Sequence, residues 1–64
     1  MSNISKQGYI NSIEESAAIV SKELDPEVVS FVYQRFGANN LESVQISDLP
    51  EVFNELYAIE ADLR

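Results

Sequence analysis

The sequence predicts an all-α domain of three helices, a small antiparallel bundle open to completion by dimerisation. Three observations predict it. Apolar residues recur at alternating steps of three and four in the first and last thirds of the chain, the spacing of one helix face. Asp25-Pro26 and Asp48-Leu49-Pro50 read as stop-and-start signals between these segments, and Gly37 follows the middle one where a helix terminator is needed. The 64 residues suffice for one domain, and no linker, repeat or low-complexity segment divides them.

The first helix is expected over about 6–23. Ile10, Ile13, Ala17, Val20 and Leu24 form its apolar row, and Glu14, Glu15, Ser16, Ser21, Lys22 and Glu23 fill the remaining arc. Residues 1–6 are polar and uncapped and are expected to be disordered. Gly8 then stands at the helix start, where it costs little. A residue before proline avoids the helical region, so this helix should end by Leu24. Asp25 is placed to accept hydrogen bonds from the free amides of a second helix, 26–36, with Pro26 at its first position.

Val28, Val29, Phe31, Val32, Tyr33 and Phe36 occupy most of that helix's circumference, which marks it as the most buried of the three. Its valines favour a strand, but the cap and the terminator favour a helix. Residues 38–47 should form a packed connection. In it Asn39-Asn40 caps a short turn at Leu41-Glu42-Ser43, and Val44 to Ile46 could be briefly extended. Asp48 and Glu51 have the capping-box offset at the start of a third helix over 49–63. Leu49, Val52, Leu56, Ile59 and Leu63 form its apolar row, flanked by Phe53 and Tyr57. The expected core is Ile10, Ile13, Ala17, Val20, Leu24, Val28, Val32, Phe36, Leu41, Leu49, Val52, Phe53, Leu56 and Ile59.

Charge narrows the function. Eleven Asp or Glu stand against four Lys or Arg, a net −7, with no His, Cys or Trp. This composition excludes a disulfide scaffold, a thiolate or imidazole metal site, and any Cys-His or Ser-His nucleophile system. The carboxylate pairs Glu14-Glu15 and Glu51/Glu55 have the wrong spacing for a loop that wraps a cation. So small a helical domain also offers little concave volume to desolvate them for acid–base work. No enzyme, cofactor or metal is expected. Direct binding to nucleic acid is disfavoured, because the last helix presents carboxylates where a recognition helix carries Arg or Lys. A nucleic-acid-binding regulator is the remote alternative. No apolar run is long enough to span a bilayer, and the polar start, with only Lys6 charged, does not read as a signal peptide. A cytoplasmic location is expected.

A domain of this size has a marginal core, and neither disulfide nor metal reinforces it. Association with another protein or with itself, a homodimer, is therefore expected. If the third helix forms a dimer seam, Leu56→Asp should abolish the dimer. The candidate partner-binding residues are the tyrosines Tyr9, Tyr33 and Tyr57, on the flanks of apolar rows, and the carboxylates Glu51, Glu55, Glu60 and Asp62. Glu60 and Asp62 in the last turn oppose the helix dipole, and Glu51 repels Glu55 four residues on, so local stability selects neither arrangement. An acidic face of this kind suits a basic protein surface. The three Phe are expected in the core.

Phe36-Gly37-Ala38-Asn39-Asn40-Leu41-Glu42, followed by Asp48-Leu49 and the helix from Val52 to Leu56, resembles a recurring pattern. It is the helix, Gly-Ala turn, Leu-Glu step and amphipathic helix of small acidic accessory proteins from bacteriophages and conjugative elements. The resemblance covers the second half of the chain. It implies a bacterial mobile-element origin and a binding or regulatory role, and it carries over no functional residue. The leading expectation is a non-enzymatic, acidic protein-interaction module, a regulator or inhibitor. The alternative is a structural or regulatory homodimer.

Overall fold

A computed structural model describes residues 4–63, with side chains from Lys6 onward. The chain folds into three helices, α1 (Ile4–Glu23), α2 (Pro26–Arg35) and α3 (Leu49–Asp62). Two short 3₁₀ turns, Leu41–Ser43 and Ile46–Asp48, lie between α2 and α3. No strand occurs among the described residues, so Val44 to Ile46 does not form one. Of the start expected to be disordered, residues 1–3 lie outside the described residues. Ile4, Ser5 and Lys6 belong to the first turn of α1.

The α1–α2 corner forms as its residues dictate. Leu24 N–H closes the last α1 bond on Val20 O at 2.8 Å, and Asp25 is extended. Asp25 Oδ1 accepts from Glu27 N–H at 2.9 Å, and Pro26 has no N–H to satisfy. At the other end of α2, Gly37 takes φ 78, the left-handed conformation that glycine adopts without steric cost. Gly37 N–H then bonds Gln34 O at 2.9 Å and Ala38 N–H bonds Tyr33 O at 3.1 Å. This is a Schellman closure, with Ala38 and Tyr33 both buried beside it. Next, Asn40 Oδ1 accepts from Ser43 N–H at 2.9 Å and caps the first 3₁₀ turn, as its position predicts.

The start of α3 departs from expectation. Asp48 makes no side-chain cap, and its backbone (φ −94, ψ −8) is already helical. The 3₁₀ turn Ile46–Asp48 runs directly into α3, so Asp48 N–H is held by Gln45 O at 2.9 Å. A reciprocal bond from Glu51 has no free donor to reach, and the capping box does not form.

Consecutive helices run in opposite directions, and α1 and α3 run parallel. Tyr9 meets Phe53 low on the pair, and Ser16 meets Glu60 higher up. The most extensive packing is between α1 and α3, not around α2. Ile13, Val20, Val52 and Leu56 are fully enclosed at the centre, with Val29, Val32, Tyr33, Ala38, Val44 and Leu49 around them. The expectation that α2 is the most buried helix is therefore corrected. It lies at one side of the molecule and leaves Phe31 60% exposed, against the expected core position. Leu24, also expected in the core, is 49% exposed, because it falls in the corner beyond the last packed turn of α1.

Because α1 begins at Ile4, Gly8 lies inside a helix rather than at its start. A Cβ there would meet nothing within 4 Å. Gly8→Ala is expected to stabilise the fold by about 0.5–1 kcal/mol. Thermal denaturation checks this as a rise of roughly 2–8 °C, on the usual 4–8 °C per kcal/mol for so small a domain. An unchanged or lower midpoint would contradict the helical assignment of this segment.

Candidate interaction surface

The seven residues singled out from sequence do not form one face. Tyr33 and Glu60 are buried and take no part in a surface. Tyr33 follows Val29 by four residues, on the inward side of α2, and its carbonyl accepts from Ala38 N–H at the closure of that helix. Burial raises its phenol pKa above the ordinary 10.0, and the carboxylate of Glu14 on α1 adds to the rise. A phenol favoured in its neutral form stabilises the fold fully below its unfolded pKa and loses that contribution as pH climbs through the raised, folded value. Stability should therefore fall above about pH 10, and the fall should be shallower in Tyr33→Phe. Denaturant midpoints across the alkaline range test this, and identical slopes for the two proteins would refute it.

Glu60 follows Leu56 by four residues, and Ser16 follows Ile13 by three, so both occupy core registers. Their side chains meet across the α1–α3 interface, with Ser16 Oγ donating to Glu60 Oε1 at 2.9 Å. Glu60 is 6% exposed. Its charge against the α3 dipole therefore has a structural reason, a buried interhelical bond. Glu55 has one as well: its carboxylate lies 3.4 Å from Arg35 Nη1 on α2. That pair is largely solvated and contributes little to stability.

What remains is a surface centred on α3. On its α1 side Tyr9, Phe53 and Tyr57 form a continuous aromatic row. Tyr9 and Phe53 are edge-on with centroids 6.3 Å apart, and Phe53 and Tyr57 are tilted at 5.7 Å. Tyr9 and Phe53 are half-buried, whereas Tyr57 is 50% exposed. Along the opposite, α2-side edge of α3, Glu51, Glu55 and Asp62 stand four and seven residues apart, one stripe of carboxylates. On the α2 side, Phe31 lies one turn before Arg35, so the most exposed ring of the molecule borders the Arg35–Glu55 pair. Sequence reading missed Phe31. Its signal was its register, two residues out of step with the inward-facing Val29 and Tyr33.

No group of three or more potential metal-ligating side chains occurs among the described residues. No described helix is long and apolar enough to cross a membrane. Compared with known proteins, the chain matches no family model, no curated protein and no solved structure.

Proposed function

We propose that the protein is a non-enzymatic interaction module that docks the outer face of α3 onto a basic surface of another protein. The supporting observation is that the exposed side of α3 is bordered on its α1 edge by the row Tyr9–Phe53–Tyr57 and on its α2 edge by the stripe Glu51, Glu55 and Asp62. Half-exposed aromatic rings supply large contact area at low entropic cost, and they are the side chains that dominate binding energy at interfaces. The carboxylates on the opposite edge of the same exposed side would steer a cationic partner onto α3. A homodimer through the same face is less favoured, since it would bring together two copies of one acidic stripe, each from a chain of net charge −7.

The test is capture of partners from cell lysate by the tagged chain, alongside Tyr57→Ser and Glu51→Lys/Asp62→Lys variants. Both alter exposed positions and leave the core intact. A near-stoichiometric basic partner, released as salt rises and not retained by either variant, would support the reading. Equal retention by all three proteins, or recovery of the untagged chain alone, would overturn it.

A further inference from the structure

On the other flank of α1, away from the aromatic row, lies a groove of about 510 Å³. One wall is the row Lys6, Ile10 and Glu14, spaced four residues apart on α1. The other is the connection, with Leu41, Glu42, Val44 and Ile46, closed below by Leu49. The volume lies within the ~300–1,000 Å³ range of ligand-binding clefts. Its floor is aliphatic, and Ile46 on the lip is 61% exposed although the segment around it is fixed by two successive 3₁₀ turns. Glu14 and Glu42 stand on opposite walls, and among the described residues neither is in an ion pair.

We infer that this groove binds an aliphatic side chain carried on a basic segment of another protein, with a Lys or Arg on each side of it reaching Glu14 and Glu42. An aliphatic floor between two carboxylates, which outnumber the one lining cation Lys6, accepts such a segment and penalises an acidic one. A second copy of this chain fits poorly. Each copy carries net charge −7, so two copies repel. The inference shares with the proposed function only the sign of the partner's charge and uses none of the same residues.

The experiment is a titration of the ¹⁵N-labelled full chain with the peptide acetyl-Lys-Leu-Ile-Lys-amide, and separately with acetyl-Glu-Leu-Ile-Glu-amide. The basic peptide should give saturable shifts, in the millimolar range, at the amides of Ile10, Leu41, Val44 and Leu49. The acidic peptide should give none. A Glu14→Gln/Glu42→Gln variant should bind the basic peptide about three- to tenfold more weakly, the worth of two exposed ion pairs. Equal response to both peptides, no saturation, or unchanged affinity in the variant would overturn the inference. So would groove shifts that appear with protein concentration alone, which would assign the site to a second copy. Shifts confined to Tyr9, Phe53 and Tyr57 would overturn it while leaving the proposed function standing.

Discussion

Leu56→Ala is expected to remove about 2–5 kcal/mol of folding stability, and Leu56→Asp to unfold the chain. Leu56 is fully enclosed, along with Ile13, Val20 and Val52, where α1 and α3 meet. Truncation would leave a cavity that a core with so few enclosed side chains has little means to fill. A domain of this length has a total stability of roughly 3–10 kcal/mol at the usual 0.05–0.15 kcal/mol per residue. The alanine variant should therefore melt roughly 8 °C lower or more, on the order of 4–8 °C per kcal/mol, and the aspartate variant should show no cooperative transition. Circular dichroism melts at two protein concentrations test both statements. A near-native midpoint for Leu56→Asp, with a change only in association state, would put Leu56 in a dimer seam. The structure places it in the core of the single chain.

Ser16→Ala is the second large expected effect. The substitution takes a hydroxyl donor from a buried carboxylate oxygen and gives nothing in return. Loss of a hydrogen bond to a buried carboxylate costs about 1–3 kcal/mol. The loss should be read in a cycle with Glu60→Gln and the double variant. If the bond between α1 and α3 matters, Ser16→Ala should cost clearly less when Glu60 is already altered. Additive effects would show that the two side chains are merely adjacent.

These two residues also show how much of the molecule was legible in the sequence. The helices were, to within two residues at most ends, because their apolar steps of three and four and the Asp25, Pro26 and Gly37 signals act within a single turn. Leu56, on an unbroken row, was legible for the same reason. Glu60 and Ser16 were not, because each is polar, and only the tertiary meeting of the two helices turns two unfavourable burials into one satisfied pair. Phe31 and Tyr33 were misassigned in opposite senses, because a helix with apolar residues on most sides does not itself indicate which side will be covered. That is decided by α2 lying at one side of the α1–α3 pair. Asp48 had the offset of a capping box, but its N–H was already taken by the preceding 3₁₀ turn. Of the candidate surface, the carboxylates Glu51 and Asp62 and the rings of Tyr9 and Tyr57 were identifiable from sequence. The ring that joins the tyrosines, Phe53, had been expected in the core and is half-buried.

The parallel pairing of α1 with α3 also governs how the chain reaches its structure. The helices that share the largest interface lie farthest apart in sequence, and the buried Ser16–Glu60 bond between them spans 44 residues. Closing that loop costs chain entropy before any central side chain is enclosed. The α1–α2 hairpin alone leaves Ile13 and Val20 without Val52 and Leu56, so no early fragment holds a finished core. Folding is therefore expected to be a single cooperative event, slower than in bundles built mainly from sequential hairpins. The most protected amides of α1 and α3 should then report one common opening free energy, that of global unfolding.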